Sequence, residues 1–226
     1  MTPAQIQAKI YSGYAKGALR LGETYTIYRP AGATANPISA PYIVGVTPAV
    51  FTVHSASGFN FDRPSDYNKP SYHALLDGTK VLVGDYLVAV GFPGPFFVAS
   101  TDPLVPILAI ECGRTLTVSH PGLSTSTPGY TPGTYAGTVG EPGATNETPY
   151  LTAWPASVLA GARSVNSGTL PGDVGRGMWN ILLPPSAAVG IRSGDIIGDD
   201  LANRYVIRSA ESTALGWRIN AEQAET

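Results

Sequence analysis

The sequence contains few charged side chains. Asp, Glu, Lys and Arg make up 13% of its 226 residues, which is about half the usual share. The net charge is −2, and this argues against a surface that binds nucleic acid or an anionic membrane. Hydrophobic residues make up 43%, so a real core can form. A surface so poor in charge must be covered by small polar residues, Gly and Pro, or by other protein chains. The second option indicates an obligate oligomer.

Cysteine is nearly absent. Cys112 is the only one, which excludes an intramolecular disulfide, and its apolar approach Ile107–Ile110 predicts a buried small hydrophobe. No stretch approaches the ~18 apolar residues of a membrane-spanning helix. The N-terminus lacks the basic and then apolar pattern of a signal peptide. We therefore expect a chain that is made and used, or assembled, in the cytosol, with no membrane partner.

Signatures of catalysis are missing from the sequence. It has no phosphate-binding loop, dinucleotide fingerprint or Gly-x-Ser-x-Gly elbow. Its three histidines, His54, His73 and His120, lack metal-ligand spacing. Asp199-Asp200 fits a solvated hairpin turn better than a calcium site or a pair of glycosidase carboxylates. The sequence therefore predicts no catalytic, cofactor-binding or metal-binding residue, and a protein that is not an enzyme.

Glycine and proline are abundant. The 26 Gly and 20 Pro interrupt helices and supply turns, so together with many apolar runs they predict a mainly all-β, loop-rich fold. Several segments have the residue types and alternation of strands. The predicted strands include Glu23–Arg29, Tyr42–Val46, Val50–His54, Tyr72–Leu76 and Arg114–Ser119. Ala156–Ala162 is predicted to be a strand or a short turn.

One pattern occurs twice in the chain. Residues 81–112 and residues 191–221 each read turn, strand, loop, strand, loop, strand. The matched segments are Gly84-Asp85 with Gly194-Asp195, Phe97–Ser100 with Val206–Ser209, and Leu108–Ile110 with Trp217–Ile219. Two copies of such a meander predict two small β-barrels or sandwiches in tandem, which is more typical of an assembly component than of a catalyst.

The repeated Gly-Asp pairs are interpreted as structural turns. Gly84 and Gly194 fit a tight turn, and Asp85 and Asp195 then start a strand with side chains that can accept backbone N–H bonds. Their recurrence in both units supports a structural role, because an active site is rarely duplicated.

The first 21 residues form the convincing helix. Thr2 and Gln5 have the spacing of a capping box around Pro3, and Gly22 provides a C-terminal cap. An apolar stripe runs along it through Ile6, Ile10, Tyr14 and Leu21. Two interpretations stay open: a helix that lies across a barrel, or an arm that docks on a neighbouring subunit.

Two polar loops carry aromatic side chains. Segments 55–72 and 119–150 have little hydrophobic pattern, and the second is longer than most loops inside compact domains. Tyr gives large contact area with a polar tip, which suits protein interfaces, although a carbohydrate-binding surface has the same excess. The candidate interface residues are Ile6, Ile10 and Tyr14 on the helix, and Phe59, Phe61, Tyr67, Tyr130 and Tyr135 in the loops.

These observations divide the chain into four parts. We expect an N-terminal helix over 1–22, a first barrel-like domain over 23–118, an extended loop or linker over 119–149, and a second barrel-like domain over 150–226. The fold class is thus mainly all-β, with two small β-barrel or sandwich units, one N-terminal α-helix and long Gly/Pro/Thr loops.

Parts of the sequence resemble known virion proteins. The opening and the first repeat are similar to the start of virion proteins in tailed phages and prophages, and the ending is similar to the small barrels of phage head–tail connector, stopper and tail-completion proteins. The segments that carry the resemblance are Ala4–Ile10, Gly13–Lys16, Tyr25–Pro30, Lys80–Val88, Phe96–Ser100, Leu104–Cys112, Arg192–Asp200, Arg204–Ser209 and Gly216–Asn220.

The resemblance implies a structural role in a particle. It predicts a homo-oligomeric ring in the neck or tail, assembled in the host cytoplasm, with portal, connector or tail proteins as partners and DNA passing through the lumen without sequence recognition. The alternatives are a capsid decoration or baseplate component, and a carbohydrate-binding receptor-recognition tail protein.

Overall fold

A computed structural model describes most of the chain. The described residues are 2–32, 36–53, 70–89, 94–121, 147–161, 177–187 and 190–224. Within these ranges, no helix combines the length and the apolar character needed to cross a membrane.

The chain begins with helix α1 (Pro3–Leu21). Its start has the predicted capping box, in which Thr2 and Gln5 each accept from the backbone N–H of the other. Its end is set by Gly22, whose N–H donates to Ala18 O at 2.7 Å. A Cβ at Gly22 would lie 2.5 Å from Ala49 O, so the close approach of the helix end to a strand requires glycine at this position.

The helix is followed by a closed barrel, barrel 1. Its six strands close in the order β1-β2-β3-β6-β5-β4, because β4 also pairs with β1. Alternation in the sequence creates its interior: Tyr25 and Ile27 of β1 are buried between outward threonines. The strands are β1 (Glu23–Tyr28), β2 (Pro41–Val53), β3 (Ser71–Leu75), β4 (Tyr86–Val88), β5 (Phe96–Ser100) and β6 (Ile107–Glu111).

A second closed barrel, barrel 2, follows directly. Its order around the ring is β7-β8-β9-β12-β11-β10, closed by the pairing of β10 with β7. This is the order of barrel 1 with six added to every strand number. The strands are β7 (Arg114–Pro121), β8 (Glu147–Ala160), β9 (Met178–Leu183), β10 (Ile196–Asp199), β11 (Arg204–Thr213) and β12 (Gly216–Gln223). Two barrels in tandem behind a helix, as predicted, are therefore confirmed.

The duplication covers all six strands rather than three. The pairing registers make β1 equivalent to β7: Ile27 faces Leu87 in barrel 1, and Val118 faces Ile197 in barrel 2. A β-bulge follows Val98 in β5 and recurs after the equivalent Ile207 in β11. Identical residues at equivalent positions include Gly22 and Gly113, Thr24 and Thr115, Thr26 and Thr117, Pro48 and Pro155, Ala49 and Ala156, and Leu75 and Leu182.

The structure corrects the predicted boundary between the two domains. Arg114–Ser119, which was expected to close the first domain, lies in β7 and pairs with β8 and β10 of barrel 2. Only Cys112 and Gly113 separate it from β6, so no change in composition marks the passage. The predicted linker 119–149 is not a connection between barrels either, since its two ends belong to the β7–β8 hairpin.

One predicted strand break is absent from the structure. Tyr42–Val46 and Val50–His54 were expected to be separated at Thr47-Pro48, but β2 runs unbroken from Pro41 to Val53. Ala156–Ala162 was expected to be a strand or a short turn, and Ala156–Ala160 belongs to β8. Pro48 pairs with Thr24 of β1, whereas pairing with β3 starts at Val50. A proline with a partner strand on one side need not interrupt a ladder.

The third matched segment of the repeat was also misaligned. Leu108 faces Ser100 in barrel 1, and the equivalent Ser209 faces Asn220. Leu108 therefore corresponds to Asn220, three residues later than Trp217. The reason is that the β11–β12 hairpin continues past the bulge to a tight turn at Gly216, so it is longer than its counterpart.

The outer face of barrel 1 is packed into the hydrophobic core of barrel 2. In β5, Phe96 and Val98 point into barrel 1, while Phe97 and Ala99 belong to a cluster that includes the interior of barrel 2. The contact is also hydrogen-bonded, since the buried Tyr86 hydroxyl donates to Pro155 O at 2.8 Å. Both faces of β5 are therefore buried, one inside its own barrel and one against barrel 2.

Equivalent faces of the two barrels have different covers. Helix α1 packs on β2 and β3 of barrel 1, whereas the equivalent strand β8 of barrel 2 is contacted by β6. The helix thus covers a face of barrel 1 whose equivalent in barrel 2 is covered by barrel 1. At the other end of the tandem, outward positions Ala99 and Ile110 of barrel 1 correspond to Arg208 and Glu222, which form an ion pair.

Candidate functional site

The Gly84-Asp85 turn surrounds a buried carboxylate. Gly84 has a φ of 91°, which favours glycine, and its N–H donates to Val98 O at 2.8 Å. Asp85 Oδ2 accepts from Leu82 N–H at 2.8 Å. The Arg29 guanidinium donates to both carboxylate oxygens, at 2.8 and 2.7 Å. Arg29, which follows β1, therefore neutralises a carboxylate that is buried away from water.

The Gly194-Asp195 turn repeats this geometry. Gly194 has a φ of 94° and donates to Ile207 O at 2.8 Å, and Asp195 Oδ2 accepts from Arg192 N–H at 2.9 Å. The two turns therefore make equivalent backbone hydrogen bonds. Both aspartates are buried, and neither lines the groove described below.

The partner of the carboxylate differs between the barrels. His120, at the position equivalent to Arg29, places Nδ1 2.8 Å from Asp195 Oδ1, and the Tyr150 hydroxyl donates to Oδ2 at 2.7 Å. Burial, with the hydrogen bond to Asp195, raises the pKa of Tyr150, so it stays a donor. The histidine ring stacks on Tyr150 with centroids 4.1 Å apart. Asp195 is thus held by two strands, β7 and β8, and its contacts account for it as a structural group.

Other reactive groups in the described ranges are engaged in structure. Burial raises the pKa of the Cys112 thiol. Burial would also raise the pKa of Asp199, but hydrogen bonds from Asn203 and Tyr205 outweigh it and lower that pKa. Asp199 additionally accepts from the N–H of Leu201 at 3.0 Å, which is the geometry of a turn. No group of three His, Cys, Asp or Glu side chains able to hold a metal occurs in the part of the chain that the structure describes.

The predicted interface residues of the helix divide between two environments. Ile10 and Tyr14 are half-buried, whereas Ile6 is exposed. The face turned to barrel 1 carries Gln7, whose Oε1 accepts from Leu104 N–H at 2.8 Å, and Tyr11, whose ring occupies the space where Gly78 would carry a Cβ. The helix therefore lies across its own barrel, and its use as an arm stays a prediction. The predicted loop residues Phe59, Phe61, Tyr67, Tyr130 and Tyr135, and His54, lie outside the described residues.

Exposed apolar side chains gather at one end of barrel 1, here called the rim. Antiparallel pairing brings the connections β1–β2, β3–β4 and β5–β6 to the same end, and the N-terminal half of α1 reaches it through Gln7. Sequence analysis missed most of this surface, because single apolar residues in loops are ordinary and only the fold gathers them. The rim consists of Ile6, Tyr42, Val44, Leu82, Val83, Leu104 and Val105.

A groove opens where the two barrels meet. Leu108 and Ile110 of β6 form one wall, and Leu182 of β9 with Leu215 and Trp217 of the β11–β12 hairpin form the other. Its volume is about 410 Å³. Arg218 stands at its border, paired with Glu211 at 3.0 Å and largely exposed. The groove, called the inter-barrel groove below, is the open margin of the interface between the barrels.

Comparisons with known proteins give no match. No family model matches the sequence, and no curated protein and no solved structure matches it. Function must therefore be inferred from the residues and the fold of the chain itself.

Proposed function

We propose that this chain is a structural component of a tailed-phage particle that assembles into a ring in the neck or tail. The phage particle rests on the sequence resemblance, and the observation that carries the ring is the rim: seven exposed apolar side chains on three connections, the start of β2 and the helix. A patch of this kind, on a molecule with 13% charged residues, is typical of a surface that other protein chains cover.

The role of the fold would be mechanical. Each barrel closes on itself, so copies would meet through side chains rather than by adding strands to an open sheet. Burying the rim contributes about 25 cal/mol for each Å² of apolar area, before the cost of association. A repeated contact of one surface with a different surface closes into a ring when its rotation allows.

The partners of such a ring would be portal, connector or tail proteins, and DNA would pass through its lumen. A net charge of −2 suits a passage that does not retain DNA. Assembly would take place in the host cytoplasm, and the mature location would be the virion.

Native mass spectrometry of the purified protein over a range of concentrations tests the ring. We expect one closed oligomer of fixed stoichiometry. The variant Val44→Asp places a charge in the rim and should weaken this oligomer. Leu201→Asp is the control, since Leu201 is also largely exposed but lies in barrel 2, at the end opposite the equivalent of the rim. A wild-type chain that stays monomeric at all concentrations would contradict the proposal.

Antibodies raised against the purified chain test its place in the particle. Labelling of the neck or tail of purified particles is expected. Labelling of the capsid surface or the baseplate would instead support those two alternatives. Saturable glycan binding that is lost on substitution of loop tyrosines would support the receptor-recognition alternative.

A further inference from the structure

The β5–β6 loop carries an exposed apolar tip. The loop has the sequence Thr-Asp-Pro-Leu-Val-Pro over residues 101–106. Leu104 is 59% exposed and Val105 is 48% exposed. Two neighbouring aliphatic side chains at the tip of a loop lose contact with water only if another surface covers them.

The conformation of this tip is fixed by three features. Leu104 has a φ of 68°, a left-handed conformation that is costly for a residue other than glycine. Its N–H is bound by Gln7 of α1. Asp102 closes the start of the loop, with Oδ2 2.6 Å from Ser100 Oγ. A strained backbone that is held in place by the helix presents its side chains with little ordering cost on binding.

The inter-barrel groove has the properties of a receptor for such a tip. Its lining is aliphatic and aromatic, and Leu215 on its edge is 48% exposed. An apolar cavity of about 150 Å³ accepts one benzene-sized group, so about 410 Å³ has room for the side chains of both Leu104 and Val105. Neither of them lines the groove of its own chain.

The tip and the groove border carry charged side chains of opposite sign. Exposed Asp102 stands two residues before Leu104, and largely exposed Arg218, which also pairs with Glu211 at 3.0 Å, borders the groove. A tip seated in the groove would bring a carboxylate toward a guanidinium at the periphery, where such pairs select the partner and its orientation.

We infer that the β5–β6 loop of one copy inserts Leu104 and Val105 into the inter-barrel groove of a second copy. This inference rests on the proposed function, since it names the contact by which the ring forms. The contact joins two different surfaces of the chain, so it runs head to tail and repeats around a ring. The receiving site exists only where two barrels meet, which gives the duplication a use in assembly.

Mixed-chain crosslinking tests the contact. Two single-cysteine chains, Leu104→Cys and Leu215→Cys, are prepared in a Cys112→Ala background, because the position equivalent to Cys112 in barrel 2 is Ala224. Mild oxidation of the mixture should produce a disulfide-linked dimer that contains one chain of each kind. Each variant alone should crosslink far less, because the proposed contact never brings two identical positions together. The pair Leu104→Cys and Leu201→Cys is the control, since Leu201 is 58% exposed but does not line the groove.

A charge at the tip provides an independent measurement. Leu104→Asp should raise the concentration at half-assembly by about tenfold or more, because an unpaired carboxylate would enter an apolar groove. Leu201→Asp should leave it unchanged, and circular dichroism should show both variants folded. If the wild-type chain is monomeric, the proposed ring and the proposed contact are both wrong. If it forms a ring while the mixed pair fails to crosslink and Leu104→Asp behaves like Leu201→Asp, the inserted loop is wrong and the ring stands.

Discussion

At the scale of single residues, the two buried aspartates hold the turns that start β4 and β10. Asp85 accepts three hydrogen bonds from two residues, one from the amide of Leu82 and two from the guanidinium of Arg29. Charge-assisted bonds of this kind stabilise more than neutral ones, and losing the carboxylate leaves its donors unpaired. The sequence identified both aspartates as turn residues, but it did not show that Arg29 and His120 bind their carboxylates.

Removing one of these carboxylates should weaken its turn. Asp85→Ala is expected to lower the free energy of unfolding by about 2–3 kcal/mol, because buried hydrogen bonds to a charged group are lost. The measurement is urea denaturation at neutral pH. Asp200→Ala is the matched control, since Asp200 is exposed, and should change stability little. Equal effects of the two substitutions would show that Asp85 is not a structural anchor.

Tyr72 should make stability sensitive to alkaline pH. Burial, together with the hydrogen bond to Glu111, raises the pKa of Tyr72 from 10.0 to about 12. The folded state favours the neutral phenol, so this contribution is complete below pH 10 and is lost as the pH rises toward 12. The difference in unfolding free energy between the wild type and Tyr72→Phe should therefore shrink from pH 10 to 12. An unchanged difference at Tyr72 would contradict the assignment.

At the scale of elements, the structure shows what pattern analysis could and could not find. The repeat of β4–β6 in β10–β12 was recognisable because Gly-Asp marks both turns. The repeat of β1–β3 in β7–β9 went unnoticed, although Thr24, Thr26 and Pro48 recur as Thr115, Thr117 and Pro155. Threonine and proline at such spacing are common, and only pairing registers make them equivalent. The groove was beyond sequence reasoning, because its walls come from strands far apart in the chain.

Gly22 and Gly113 provide a matched test of helix docking. They occupy equivalent positions before β1 and β7. A Cβ at Gly22 would meet Ala49 O at 2.5 Å, whereas a Cβ at Gly113 would meet nothing within 4 Å. Gly22→Ala should therefore cost about 1–3 kcal/mol by forcing the helix end away from β2, and Gly113→Ala should be tolerated. Thermal unfolding of the two variants checks this, and similar melting temperatures would rule out the close approach.

At the scale of the whole molecule, the packing of barrel 1 into the core of barrel 2 predicts that the barrels unfold together. Phe97 and Ile110 of barrel 1 belong to the same buried cluster as the interior of barrel 2. The wild type should therefore show one calorimetric transition, as a cooperative unit does. Ile110→Glu introduces at the junction the residue type that barrel 2 has at the equivalent position, Glu222. A charge buried between the barrels should uncouple them and split the transition in two. A single transition in this variant, at an unchanged temperature, would mean that the junction contributes little.

The ion pair of Arg208 and Glu222 makes the two copies of the duplicated unit non-interchangeable. These side chains stand where barrel 1 has the buried Ala99 and Ile110, so this face of barrel 1 needs a neighbour over it, whereas barrel 2 carries mutually compensated charges there. Exchanging the order of the two units would therefore bury an ion pair at the junction and leave an apolar face in water.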